Sequence, residues 1–400
     1  MDNAEQGPDR SARRRVAVTG LGVVSCCGIG KDAFFAGLNG PAPEGEHRVR
    51  GFDPSLWFDA KEARRVDPFA QYAVAAADMA LADAGPVDVD PALAGVQIGT
   101  GVGGLSTMET QIGVLLDKGA RRVSPFLVPM MMANAGAATV SLRLGWRGPC
   151  ETISTACASG THSILAAHRL IAGGRCEAVL AGGAEAAMTP VALAAFGNMT
   201  ALSTSGQSRP FDVRRDGFVI AEGGAVLVLE ELERARARGA RIYAELLGGA
   251  STADAHHITA PAPGGAGAIG CMELALEDAG LTAADVAHVN AHGTSTPLND
   301  LAEAEAIEKV FGRPGPPVTS IKGVTGHSLG AAGALEAVAC ALSIERRLIP
   351  PTVGLEQQDP EIHLDIVRNA ARKWEPGPIL SNSFGFGGHN GCIVLAPVPV

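Results

Sequence analysis

Cys157, His292 and His327 are the residues of this 400-residue sequence whose types and settings best suit covalent chemistry. Cys157 lies in Thr155-Ala-Cys-Ala-Ser-Gly160, after a strand-like run and before a segment with apolar Ile164, Ala167 and Ile171 at helical spacing. A cysteine at a strand-to-helix turn meets the positive end of the helix dipole, which favours the thiolate. Backbone N–H groups left free at such a turn can also bind an oxyanion. Most cysteines are inert buried thiols, but the small neighbours of Cys157 leave room for an acyl group. His292 stands in Asn290-Ala-His-Gly-Thr-Ser-Thr296, just past a strand, and His327 ends Lys322-Gly-Val-Thr-Gly-His327. A single histidine most often has a surface or structural role. Two flanked alike by Gly and hydroxyl residues favour a shared site beyond strand ends, where α/β proteins place their chemistry.

Two other chemistries compete for these residues. A cysteine with two histidines is a possible zinc set, but the three lie far apart, and the adjacent His256 and His257 would point different ways; no metal is expected. Gly326-His-Ser-Leu-Gly330 fits the G-x-S-x-G elbow of hydrolases and serine acyltransferases, with Asp365 and His389 following in Ser, Asp, His order. That elbow needs a strand running straight into its first Gly. Gly323 interrupts such a strand, and the reading leaves Cys157 and His292 without a role.

The elements that must position these residues occur as echoes. Phe69 to Gly85 reads as a helix ending in Leu81-Ala-Asp-Ala-Gly85, and Ala268 to Gly280 as one ending in Leu276-Glu-Asp-Ala-Gly280. Each Gly suits a helix C-cap, and each precedes an apolar strand, Val96 to Thr100 and Val286 to Asn290. Thr152 to Thr155 enters a turn and a helix over 157–171; Val318 to Ile321 enters a Gly-rich turn and a helix over about 329–344. Alternating strands and helices predict α/β layers. Any α/β protein shows some such echoes; the sharper reading is a duplicated unit whose halves, 14–248 and 249–400, meet near residue 248. Residues 1–13 are expected to form a disordered tail.

Composition narrows the class further. The chain is 46% hydrophobic and 18% charged, with 51 Gly, which fits a soluble core of small aliphatic residues. A net charge of -10 argues against nucleic acid as a partner. The eight cysteines form no CxxC pair and no regular framework, and no secretory signal or twenty-residue apolar run is present. A cytoplasmic protein without a membrane span is expected.

Four motifs in register, Thr155 to Gly160, Asn290 to Pro297, Lys322 to Glu336 and Asn382-Ser-Phe-Gly-Phe-Gly-Gly388, closely resemble those of β-ketoacyl-acyl carrier protein synthases of the KAS II type. The resemblance runs from about Arg14 to Leu395 and implies a thiolase-like fold, two duplicated α/β halves in an α-β-α-β-α stack. It implies that Cys157 takes an acyl chain as a thioester, and that His292 and His327 hydrogen-bond the enolate of a decarboxylating malonyl thioester. Lys322 would support the electrostatics near His327, with Glu336 holding Lys322. Backbone N–H groups of Cys157 and Phe386 would form an oxyanion hole, with Phe386 also gating the acyl channel. Thr259, Thr294, Thr296 and Phe384 would line the phosphopantetheine path. Lys61, Arg64 and Arg65 resemble a docking segment for an acidic acyl carrier protein, although such charge runs are usually solvated helix faces.

The resemblance implies no metal and no diffusible cofactor, and either a homodimer or a heterodimer with a chain-length factor. Thr200 stands where related enzymes often have a docking Arg, Gly323 where Ser is common, and His389 where Thr is frequent. Three classes follow: an elongating synthase of fatty-acid synthesis, the catalytic ketosynthase of a type II polyketide system, or its non-catalytic partner. The intact Cys157 disfavours the last.

Overall fold

Alternating small and β-branched runs become the strands of one mixed sheet in the computed structural model, which describes residues 13–43 and 46–399. In chain order the strands are β1 (Val16–Ser25), β2 (Ala94–Gly99), β3 (Cys150–Glu151), β4 (Ala178–Glu185), β5 (Gly223–Glu231), β6 (Ala244–Ala253), β7 (His288–Asn290), β8 (Val318–Thr319), β9 (Ile379–Gly385) and β10 (His389–Ala396). Gly28–Ile29 folds back on β1 as a short hairpin and completes an eleven-stranded sheet. The order is β3-β2-β4-β5-β1-β6-β10-β9-β7-β8. Read inward from either edge, each half runs third, second, fourth, fifth, first. In each half the outer pairs are parallel and the fifth strand is antiparallel to its neighbours. The halves join where Val16–Val18 pairs antiparallel with 244–246.

That repeat places the junction earlier than residue 248. β6 already belongs to the second half, so the chain changes halves between Glu231 and Ala244. Of the expected tail only Arg13 lies among the described residues, where its guanidinium meets Asp278 at 2.7 Å.

The principal helices are α1 (Pro68–Ala84), α2 (Ser159–Ala172), α3 (Ala266–Ala279), α4 (Pro297–Phe311) and α5 (Ala332–Arg346). α1 packs on the strands of the first half and α3 on those of the second, whereas α2 and α5 touch each other and strands of both halves. The two helix echoes are thus the outer pair and the central pair. Every residue from Ala332 to Ile344 is buried, as a helix apolar on all sides but for Glu336 and Ser343 requires. Close packing is reached with small residues. Gly333 of α5 crosses α2 so tightly that a Cβ would stand 2.0 Å from Thr161 Oγ1.

The central helices start later than their sequence pattern suggests. α2 begins at Ser159 rather than at 157, and a 3₁₀ turn, Leu329–Ala331, precedes α5. A left-handed residue stands ahead of each, Ala156 at φ 49° and Leu329 at φ 46°. The tight reversal uses the residues that periodicity alone would assign to helix. The strand expected over 152–155 is confined to Cys150–Glu151, with one isolated bridge between Thr155 and Cys157. Among the described residues no helix is long and apolar enough to cross a membrane.

α1 lies on β1 through its Ala76, Ala80 and Ala84 face, opposite Gly20 and Gly22. A Cβ on Gly22 would come 1.8 Å from the carbonyl oxygen of Ala76, a backbone atom that cannot rotate away. Gly22→Val is therefore expected to lower stability by at least the ~1–3 kcal/mol typical of overpacking. Urea titration checks this, and an unchanged midpoint would show that α1 moves freely.

Candidate active site

The left-handed turn at Ala156 lifts Cys157 out of the strand direction just ahead of α2. Gly385, at the end of β9, allows the last β-hairpin to approach it. A Cβ there would lie 2.7 Å from Thr155 O and 3.2 Å from Cys157 N. The following residue, Phe386, occupies the turn between β9 and β10, where Gly387 and Gly388 both have φ in the left-handed region. Burial pushes the Cys157 thiol up to about 12. The nearby Lys322 ammonium and the backbone N–H groups of Phe386 and Cys157 act in the opposite direction, and Glu185 adds to the rise. The expected stabilisation of a resting thiolate by the helix N-terminus is thus outweighed. Cys157 precedes the N-cap, Ala158, and loses its hydration.

His327 follows the short helix Lys322–Thr325 and presents Nε2 to Cys157 Sγ at 2.9 Å. Its Nδ1 is buried with no hydrogen-bond partner among the described residues. A proton on Nδ1 would bury an unpaired donor, so the hydrogen-bond pattern assigns the proton to Nε2. His292 leaves the end of β7, its ring 5.3 Å from that of His327, centroid to centroid, and nearly perpendicular to it. The Lys322 ammonium has donors only, and it contacts His292 Nδ1 at 3.4 Å and His292 O at 2.6 Å. Nδ1 must accept, which leaves Nε2–H as a donor. Burial, reinforced by Lys322, holds both imidazoles well below the usual range, so both are neutral.

Lys322 and Glu336 form a fully buried ion pair. Lys322 contacts His292, and its charge also acts on His327. Burial pushes the Glu336 carboxyl up to about 7 against the pull of Lys322. A cavity of about 400 Å³ opens above the three residues, lined by Thr259, Thr294, Thr296, Phe384 and Phe386, with Thr200 on its wall. The Phe384 ring lies 5.9 Å from that of His292, and Thr294 and Thr296 share a hydrogen bond of 3.0 Å. Lys61, Arg64 and Arg65 do not line this cavity; all three are exposed around the Ala60–Ala63 helix, and Arg65 lies over the Phe126 ring at 4.2 Å.

Comparison with known proteins decides the family. Residues 38–235 match the beta-ketoacyl synthase N-terminal domain, and residues 243–356 match the C-terminal domain. The chain belongs to the beta-ketoacyl synthase family. It is 45% identical to 3-oxoacyl-[acyl-carrier-protein] synthase 2 of Synechocystis sp., over 94% of this chain and 97% of that one. It is 45% identical to the protein of the same name from Rhizobium meliloti, over 96% and 98%. Among solved structures, the ishigamide ketosynthase/chain length factor superposes with a TM-score of 0.91 at 36% identity, covering 97% of this chain and all of that chain. A type II polyketide-synthase ketosynthase in complex with its acyl-carrier protein gives 0.89 at 33%, again over 97% of this chain and all of that one. The architecture is that of the thiolase-like ketosynthases, and the chain is an acyl-transferring enzyme.

The serine elbow is absent from this synthase. The short Lys322–Thr325 helix, not a strand, precedes Gly326; Ser328 Oγ is buried without a hydrogen-bond partner among the described residues; and Asp365 is paired with Arg372. Gly323 also has a local reason, since a Cβ there would stand 1.9 Å from Val353 O.

Sequence reasoning missed Glu303. It is buried on α4 and accepts from the backbone N–H groups of His292 and Gly293, both at 2.7 Å, with Asn382 at 3.3 Å. Burial pushes its carboxyl up to about 7. In sequence it resembles its exposed neighbour Glu305, but it lies one helical turn from buried Ile307 and on the inward stripe with Asp300.

Because the resting thiol is held protonated, alkylation of Cys157 by iodoacetamide is expected to keep rising with pH beyond the ~8.5 of an ordinary thiol. A labelling rate that levels off below pH 8 would show that the turn stabilises the thiolate after all.

Proposed function

We propose that this chain is a 3-oxoacyl-[acyl-carrier-protein] synthase that condenses an acyl group held on Cys157 with a malonyl group held on carrier protein. The observation that carries this reading is the Cys157 Sγ to His327 Nε2 approach of 2.9 Å, with the His292 ring beside it, at one cavity. In the first half-reaction Cys157 attacks the acyl thioester. The tetrahedral oxyanion is held by the N–H groups of Cys157 and Phe386, and the carrier thiol departs with the proton that the cysteine gives up. The malonyl thioester then loses CO2. Charge collects on its thioester oxygen between the Nε2–H donors of His292 and His327, and the carbanion attacks the Cys157 thioester, releasing the 3-oxoacyl product and expelling the Cys157 thiolate, which takes up a proton from solvent. The donors are preorganised, since Lys322 and Glu336 hold one ring and Glu303 holds its backbone. Every group transferred arrives on phosphopantetheine, so the chemistry calls for no metal and no diffusible cofactor, and a cytoplasmic setting suits the free thiols.

Thr259, Thr294, Thr296 and Phe384 line the path for the pantetheine arm. Lys61, Arg64 and Arg65 face an acidic carrier, with no Arg at Thr200 to assist them. A homodimer is supported by the exposed edge strand β3 and by the apolar surface of Ile112, Leu115, Leu116, Val128 and Met132. The likeness to a ketosynthase/chain length factor structure favours a second reading, in which the chain pairs with such a factor in polyketide synthesis.

His292→Ala and His327→Ala are each expected to slow malonyl decarboxylation by at least the ~10²-fold typical of losing one oxyanion donor. Cys157→Ala should abolish acyl loading, read by mass spectrometry of the trapped thioester. Decarboxylation at the wild-type rate in either histidine variant would overturn the assignment. Reversing Arg64 and Arg65 to Glu is expected to raise KM for carrier-bound substrate while sparing a small thioester mimic. Surface pairs are individually worth only about 0–1 kcal/mol but steer encounter as a cluster. Equal effects on both substrates would place docking elsewhere.

A further inference from the structure

Glu185, the last residue of β4, is a fully buried carboxylate whose hydrogen bonds all lead to loops of the site. Its Oε1 accepts from Thr100 Oγ1 at 2.9 Å and from Val102 N at 3.3 Å. Its Oε2 accepts from Gly101 N at 2.7 Å and from Gly330 N at 3.0 Å. Thr100 to Val102 follow β2 in the first half of the molecule. Gly330 belongs to the second half and lies in the turn that carries His327 into α5. One carboxylate therefore ties the His327 turn to the half that carries Cys157.

The cradle is built for a bare backbone on both sides. A Cβ on Gly101 would stand 2.9 Å from Glu185 Oε2 and 3.6 Å from the carbonyl oxygen of Ala156, the residue before the nucleophile. A Cβ on Gly330 would stand 2.8 Å from the same carboxylate oxygen and 2.2 Å from Gly101 N. From the other side, Gly160 and Gly183 close on Gly330 O, where their Cβ atoms would lie at 3.0 and 2.5 Å.

We propose that Glu185 is a positioning residue of the condensation. It anchors the Gly330 turn against the Thr100–Val102 loop and so sets the distance between His327 Nε2 and Cys157 Sγ. It touches neither substrate nor sulfur and acts through the turn. Its charge has a second consequence, because an anion held on the Gly101 loop that packs on Ala156 O opposes ionisation of the neighbouring thiol.

The two roles separate chemically. In Glu185→Gln the amide oxygen can keep both bonds at the Oε2 position, while the amide NH2 donates to the Thr100 hydroxyl and forfeits the longer bond from Val102 N; most of the anchoring is retained and the charge is lost. Glu185→Ala removes both. The inference rests on the reading of His327 as a donor to malonyl, so His327→Ala is measured alongside. Glu185→Ala is expected to lower kcat for malonyl decarboxylation by about 10²-fold, the effect of an ångström-scale misplacement, with KM little changed. Glu185→Gln should keep kcat within a few-fold, yet move the pH profile of Cys157 alkylation to lower pH. Wild-type kcat in a folded Glu185→Ala protein, with His327→Ala inactive, would overturn this inference alone. Full decarboxylation in His327→Ala would overturn the functional reading beneath it. Equal kcat losses in both Glu185 variants that track their loss of thermal stability, with an unmoved alkylation profile, would reduce Glu185 to a folding role and also overturn the proposal.

Discussion

The buried ammonium of Lys322 is the interaction on which the site depends. An isolated cation in a low-dielectric interior is unfavourable by several kcal/mol after relaxation, and removing one partner of such a pair costs about 3–5 kcal/mol. Lys322 is held by Glu336 from α5, by the carbonyl oxygen of His292 and by the ring nitrogen of the same residue. This arrangement binds three separate segments at one point. It sets the rotation of the central helix α5, since Glu336 must face inward from a helix that is otherwise small and aliphatic. It also decides which nitrogen of His292 carries a proton. A lysine can only donate, so the chemistry at Nε2 is fixed by the residue behind the ring.

Around that pair the site is assembled from polar backbone that would be costly to bury unpaired. Glu303 and Glu185 each accept from main-chain N–H groups of loops leaving strand ends, one behind His292 and the other beside the His327 turn. These carboxylates do for the loops what helix caps do for helix ends. The two histidines, by contrast, are kept neutral by the same burial that makes their N–H groups effective donors. The cysteine shares this dry setting, which also disfavours its ionised form.

Much of this is legible in the sequence alone. Cys157, His292 and His327 announced themselves because Gly and hydroxyl residues surround them where core residues would otherwise stand. The helix echoes at 69–85 and 268–280 correspond to the outer helices of the two halves, since each carries its own C-terminal glycine. Other features were not readable. Ala156 and Leu329 adopt left-handed backbone that their residue types do not advertise, so periodicity places the helix starts too early. The expected junction near 248 falls inside β6, at Gly248 and Gly249. There glycine serves close packing: a Cβ on Gly249 would lie 2.3 Å from Cys392 O. Glu303 and Glu185 stayed hidden because a buried acid and a solvated one have the same letter.

The junction also has a consequence for how this enzyme can change. The sulfur belongs to the first half, and both imidazoles belong to the second. The surface between α2 and α5 therefore behaves like the contact between two unlike subunits that happen to share one chain. Substitutions along it can shift the imidazoles slightly against the sulfur, within the limits set by the β1–β6 pairing and the Glu185 cradle, without altering Cys157, His292 or His327. Descent with modification thus has a route to altered site geometry that leaves Cys157, His292 and His327 in place. A survey confined to those side chains would record such enzymes as unchanged.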